Sequence, residues 1–295
     1  MEVAAAFETL GFVGLGAMGR GMASNLTRRS GRPVHVFDAV AELITPLVDV
    51  GATESSSVAD LGAAADVVFL SLPGIGDVET VCAQLLDADP RPSMVVDMST
   101  CDVRRTRALA ARMAEAGVGF VDAPVARMRQ AAVDGTLFIA VGATPDQFDA
   151  LEPLLATMGT DVVHCGSSGA GQVVKIVNNM VVLNTMHTLA EAIAIARTAG
   201  MDAEVLVDVL AKGSADSFML RSPATRALVT DEFPLHAFPT LYGIKDISLA
   251  LTLAEEGGIT ARAARSTLEL LAAARDGGYE QEYYPVFIRA IEGRL

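Results

Sequence analysis

Cysteine is scarce in this chain of 295 residues: Cys82, Cys101 and Cys165 are the full set. An odd number of widely spaced thiols builds neither a disulfide framework nor a metal-ligand pair. Reduced, buried thiols in a cytoplasmic protein without a metal are therefore expected. Basic side chains are in deficit, 22 Lys and Arg against 36 Asp and Glu, for a net charge of −14. Such a surface repels phosphate backbones and argues against a nucleic-acid partner. It still permits a small acidic ligand, held locally by an arginine or a helix N-terminus. No run of 18 apolar residues occurs, and the most apolar stretch, 173–189, is broken by Lys175, Asn178, Asn179 and Asn184, so no membrane span is expected. Residues 1–8 carry two glutamates and no basic cluster, unlike a secretory signal. Repeats with a period of 20–50 residues and low-complexity tracts are absent as well.

What the chain does have is apolar content, 51% of its residues, enough for a substantial core. Up to about residue 160, short runs rich in Val, Leu and Phe (10–13, 34–37, 67–72, 94–98, 118–121 and 137–141) alternate with segments of helical spacing such as 104–116. That alternation predicts an α/β fold with a doubly wound, largely parallel sheet. The pattern changes at the glycine-rich stretch 166–171. Residues 172–199 contain neither Gly nor Pro and are apolar on nearly every side, which predicts one long buried helix. Segments 202–212, 244–256 and 261–274 are helical in period too. The expected organisation is a dinucleotide-binding domain over 1–165 and an all-α domain over 166–295, joined by the long helix, with a cleft between them. A helix this apolar needs a partner, so a homodimer or homotetramer is expected.

Gly14, Gly16 and Gly19 form G-x-G-x-x-G directly after the first predicted strand and before a predicted helix over 18–28. The first glycine permits a tight turn, the second lets a pyrophosphate approach the backbone, and the third lets helix and strand pack closely. The intervening Leu15, Ala17 and Met18 belong to the same cofactor-facing turn. Asp38 ends the second strand 22 residues after Gly16, where an acid accepts hydrogen bonds from the adenosine ribose. In this context the glycines identify a Rossmann-type site. Ala39, Val40 and Ala41 follow without a basic residue, and a carboxylate repels a 2′-phosphate, so NAD is expected over NADP. Ligands of such sheets lie beyond the carboxyl ends of the strands, which brings Leu72, Pro73 and Thr100 to the nicotinamide side.

Lys175 stands near the start of the apolar helix, with Asn179 one turn further on the same face. A lysine on such a helix is either functional or snorkels to solvent. Arg127 and Arg129 follow the strand that ends in Asp122-Ala123-Pro124-Val125. They either face a substrate anion or are solvated loop residues. His35, His164, His187 and His236 have no supporting motif, and His187 lies about 120° around the helix from Lys175.

Four segments occur in order: GFVGLGAMGRGMASNL (11–26), DAPV with a later DGTL (122–137), GSSGAGQVVKIVNNM (166–180) and YGIKD (242–246). Together they resemble the β-hydroxyacid dehydrogenase family, which includes 3-hydroxyisobutyrate dehydrogenases and tartronate semialdehyde reductases. The resemblance spans nearly the whole chain. It implies that Lys175 is the general acid/base, that Asn179 fixes the substrate, and that Lys245 and Asp246 serve the cofactor, with Phe238 at the substrate site. A lysine suits the role because desolvation disfavours its charged form. One segment departs from the family pattern: Ala126-Arg127-Met128 replaces Ser-Gly-Gly, the backbone and side-chain donors for the substrate carboxylate. An arginine here resembles a subgroup with sulfolactaldehyde reductase and γ-hydroxybutyrate dehydrogenase types, and implies that Arg127 holds the acid. Rival readings are an imine reductase, a family that lacks the lysine, a 6-phosphogluconate-type decarboxylating enzyme, whose helical domain is longer, and a catalytically silent NAD-binding module.

Overall fold

The computed structural model describes residues 7–235 and 237–295, so residues 1–6 and His236 lie outside the described residues. Among the described residues nine strands form one sheet: β1 (Leu10–Val13), β2 (Val34–Phe37), β3 (Thr53–Glu54), β4 (Val67–Leu70), β5 (Met94–Asp97), β6 (Gly119–Asp122), β7 (Val125–Ala126), β8 (Leu137–Gly142) and β9 (Gly159–Gly166). Their order is β3-β2-β1-β4-β5-β6-β8-β7, with β9 also paired to β8. β1 to β6 are parallel, as crossover helices require. β8 runs antiparallel to both β6 and β7 and parallel to β9. The chain winds outward through β2 and β3, then crosses to the other side of β1 with β4. That reversal is the crevice where ligands of doubly wound sheets bind.

The pleat sorts the strand residues onto two faces. Leu10, Phe12, Val67, Phe69 and Val96 bury on one, where the Phe12 and Phe69 rings stack at 6.3 Å. Val13, Val68, Leu70 and Val95 bury on the other. Both faces are covered, which is why these strands read as continuous apolar runs. The flanking helices are capped from the sequence: Ser57 Oγ accepts the Asp60 N–H, and Asp102 accepts the Arg105 N–H. Thr144 and Gln147 form a reciprocal capping box.

The chain divides into two compact units that meet in sequence at Lys175 and Ile176, inside the long helix Ala170–Thr198. The second unit is helical. Leu183, Met186, Leu189 and Ile193 of the long helix pack with Leu220, Ile247, Leu271 and Phe287 into its own core. The expected segment 202–212 is the helix Ala203–Leu210 with Asp202 as its cap, and 244–256 and 261–274 are Thr240–Glu256 and Arg262–Asp276. Leu220–Val229 is a π-helix that buries Leu220, Ala224, Ala227 and Leu228.

The long helix is less enclosed than its composition predicts. Val177, Val181 and Ile195 are 42%, 54% and 68% exposed. At 100° per residue they fall within 40° of one another, so they line one side of the helix. No helix among the described residues is long and apolar enough to cross a membrane.

Candidate active site

Four carboxyl-terminal strand ends of the first unit, those of β1, β2, β4 and β5, carry the cofactor residues expected there. After β1 the chain turns sharply. Gly14 adopts φ +93°, and a Cβ there would collide with the Ser71 carbonyl oxygen. A Cβ on Gly19 would collide with the Gly14 carbonyl oxygen, so strand, turn and helix Gly19–Arg29 close on each other only with glycine at both positions. Gly16 differs: it is exposed, and a Cβ would meet nothing within 4 Å. That open space above a backbone turn fits a pyrophosphate at the N-terminus of a helix. Leu15 is fully buried beneath it, with Ala17 and Met18 completing the turn.

Asp38, half-buried at the end of β2, reaches back across this turn. Its Oδ2 accepts the Leu15 N–H at 2.6 Å and its Oδ1 accepts the Val40 N–H at 2.8 Å. The carboxylate is thereby fixed, and its remaining lone pairs suit ribose hydroxyls. These residues would hold the adenosine ribose and pyrophosphate of a dinucleotide. Beyond β4, the Leu72 N–H donates to Ser99 Oγ at 2.9 Å, which joins the Leu72-Pro73 loop to the one carrying Thr100. Pro73 is exposed and Thr100 half-buried.

Two residues that sequence reasoning did not single out tie these loops to the long helix. Asp122, fully buried at the end of β6, accepts the N–H groups of Gly169 at 2.6 Å and Gln172 at 2.9 Å. Burial pushes its carboxyl up to about 6, against the pull of those two donors. Gln172, also fully buried, bonds through its side chain to Ser99 and Cys101. A buried amide at the start of an apolar helix was the available signal. The helix then carries Lys175, which is half-buried.

In the second unit Asn179, Lys245 and Asp246 come together. Asn179 is 8% exposed and donates to Asp246 Oδ2 at 2.5 Å, while its Oδ1 accepts from Asn178 at 3.1 Å. Lys245 Nζ lies 3.6 Å from Asp246 Oδ1 and 5.8 Å from the Tyr242 ring centre. Asp246 thus holds the Asn179 amide and the Lys245 ammonium from one buried carboxylate. Phe238 is half-buried, edge-on to Tyr242 and Tyr284. His187 bonds Thr267 and lies 3.3 Å from Glu191, a packing role within this unit.

Arg127 departs from expectation. Its guanidinium donates to the Thr136 carbonyl at 2.5 Å, Thr160 Oγ1 at 3.0 Å and Asp161 Oδ2 at 2.6 Å. Its planar fork thus bonds to β9 and to the segment before β8. Thr160 and the guanidinium hold the Asp161 carboxyl below its usual range. Arg127 also adopts φ +85°, a conformation that favours glycine. Ala126 pairs with Phe138 in the sheet, and Met128 is 50% exposed. Among the described residues no group of three or more His, Cys, Asp or Glu could hold a metal ion.

Two family models match in tandem. One, described as the NAD binding domain of 6-phosphogluconate dehydrogenase, covers residues 9–166. The other, described as NAD-binding of NADP-dependent 3-hydroxyisobutyrate dehydrogenase, covers 169–290. The chain belongs to the β-hydroxyacid dehydrogenase family. It is 36% identical to 2-(hydroxymethyl)glutarate dehydrogenase of Eubacterium barkeri, over 85% of this chain and 83% of that one. It is also 36% identical to human mitochondrial 3-hydroxyisobutyrate dehydrogenase, over 68% of this chain and 60% of that one. Among solved structures, Mycobacterium tuberculosis 3-hydroxyisobutyrate dehydrogenase with L-serine superposes at a TM-score of 0.87 with 28% identity, over 96% of this chain and 99% of that one. This member of the family is an NAD-dependent dehydrogenase, with a Rossmann-type domain followed by a helical one.

Proposed function

We propose that this dehydrogenase oxidises, reversibly, the primary alcohol of a small acid whose hydroxymethyl group sits on the carbon next to the carboxylate. The three ligands named for its relatives, 2-(hydroxymethyl)glutarate, 3-hydroxyisobutyrate and L-serine, share that unit. The observation that carries the reading is Lys175, one turn before Asn179 on a helix whose start is bonded to the Thr100 loop. A nicotinamide cofactor, when bound, would supply the hydride acceptor in oxidation and the hydride donor in reduction. Lys175 Nζ takes the hydroxyl proton in the first direction and gives it back in the second. Asn179, oriented by Asp246, hydrogen-bonds the substrate. Lys245 serves the cofactor, and Leu72, Pro73 and Thr100 line the nicotinamide side. Arg127, bonded to Asp161, lends no support to a sulfolactaldehyde-type substrate, while a relative named glyoxylate/succinic semialdehyde reductase keeps a semialdehyde substrate as the second reading. Arg129 and the backbone of residues 126–128 become the donors offered to the carboxylate.

Lys175→Ala tests the reading. Turnover is expected to fall roughly 10²–10⁴-fold, the range for general acid–base catalysis, with the affinity for NAD nearly intact. A variant with near-normal turnover would remove Lys175 from the mechanism. The working form is proposed to be a cytoplasmic homo-oligomer, at least a dimer. The exposed Val177, Val181 and Ile195 and the three free thiols support this setting. Light scattering at micromolar concentration should give a multiple of the chain mass of 30.7 kDa, and a monomer would contradict it.

A further inference from the structure

Gln172 has no role in the chemistry just described, yet it is fully buried and makes three hydrogen bonds. Its backbone N–H donates to Asp122 Oδ2. Its side chain spans Thr100: Oε1 accepts the Cys101 N–H at 2.9 Å, and Nε2 donates to the Ser99 carbonyl oxygen at 2.8 Å. One amide therefore holds the peptide groups on both sides of Thr100. Ser99 carries the connection further. Its Oγ accepts the Leu72 N–H, and its own N–H donates to Asp97 Oδ1 at 2.9 Å. The loops after β4, β5 and β6 and the first turn of the long helix are thus one hydrogen-bonded body, and Lys175 stands three residues beyond Gln172.

Glutamine meets this requirement without a charge. Its planar head accepts and donates at once, ionised glutamate lacks the donor, methionine has neither function, and asparagine is one methylene shorter. Around the clamp there is no slack. Ser99 and Cys101 are 5% and 1% exposed, and a Cβ on Gly142 or Gly171 would collide with the Asp122 carboxylate or the Ala140 carbonyl. A peptide group released here has no water to turn to, so the loop must shift to satisfy it.

We propose that Gln172 is a positioning residue that sets the Thr100 peptide, on the nicotinamide side, in register with the Lys175 amine. This rests on the roles given to Lys175 and Thr100 above. Misplacement of reacting groups by about an ångström costs on the order of 10²-fold in rate, so the clamp acts on turnover, not on binding.

Gln172→Met, Gln172→Glu and Lys175→Ala are compared in the full chain, by turnover, by NADH affinity from fluorescence titration, and by Tm. Gln172→Met should lower kcat about 10–100-fold at a temperature well below its Tm, with NADH affinity within about threefold. Gln172→Glu keeps the acceptor for Cys101 and regains the donor to Ser99 only when protonated. Its kcat, taken as a ratio to the unaltered enzyme, should rise as pH falls from 8 to 6. Asp97, Asp122, Cys101 and Arg107 are the titratable or charged groups that the surrounding hydrogen bonds bring near, and both proteins share them. The ratio therefore isolates residue 172, and it serves even where the methionine variant fails to fold. Unchanged kcat in Gln172→Met, or a flat ratio in Gln172→Glu, overturns the clamp. Near-normal turnover in Lys175→Ala sinks the acid–base reading on which it rests. Loss of turnover in Lys175→Ala with none in Gln172→Met sinks the clamp alone.

Discussion

Two bends at the carboxyl ends of strands place the backbone in the same unusual conformation and use it differently. Gly14 after β1 has φ +93°, and Arg127 after β7 has φ +85°. In the first bend the Ser71 carbonyl leaves no room for a side chain, and the neighbouring Gly16 opens onto empty space. In the second the positive φ is carried by a full-length side chain, at a cost of about 1–2 kcal/mol for a non-glycine residue. The guanidinium offsets this with bonds to Thr136, Thr160 and Asp161. A bend that a ligand must touch excludes side chains. A bend whose outer side is solvent tolerates one that braces the protein. On this contrast we propose that the cofactor meets the first bend and that the Arg127 side chain braces the protein.

Gly16→Val should sharpen the comparison most. Nothing in the protein obstructs a side chain at this exposed position, so Tm should change little, as for ordinary surface substitutions. The branched side chain would occupy the pyrophosphate's place, and NADH affinity should fall about 100-fold, ~2.7 kcal/mol. An unchanged affinity in fluorescence titration would break the assignment of the turn. Arg127→Gly should do least. It relieves the positive-φ cost and loses an ion pair whose partners are 44% and 50% exposed, a type worth about 0–1 kcal/mol. Stability should stay within about 1 kcal/mol by urea titration, and kcat/KM for an acidic substrate within about threefold. A KM rise above about tenfold, confined to acidic substrates, would return Arg127 to the substrate site.

The sheet and the cofactor turn were legible because their signals are local. Apolar runs buried on both faces marked β1, β2, β4, β5, β6 and β8, and the glycine spacing marked the turn. β3 and β7 escaped because each has only two residues, too short for any periodicity. β9 escaped because most of its residues are exposed or half-buried, so it lacks an apolar run. The long helix read as buried on nearly every side because composition does not reveal which side lacks a neighbour. Val177, Val181 and Ile195 lie on that side. Gln172 and Asp122 were missed for a related reason. Their partners lie 71, 73, 47 and 50 residues away, and only the folded chain brings them together. Arg127 was assigned by its type and position in a motif, whereas its role depends on β9, a strand that left no mark in the sequence.

The central claim is an NAD-dependent dehydrogenase for small acids that carry a hydroxymethyl group. It is tested most directly by initial rates with 3-hydroxyisobutyrate, 2-(hydroxymethyl)glutarate, L-serine and a neutral primary alcohol, each with NAD and with NADP, following absorbance of the reduced nicotinamide. The predicted result is NADH formation with at least one acid, a much lower rate with the neutral alcohol, and a clear preference for NAD, because Asp38 repels a 2′-phosphate and Ala39, Val40 and Ala41 after it are not basic. Reduction of neither cofactor by any of the acids, or a preference for NADP, would contradict it.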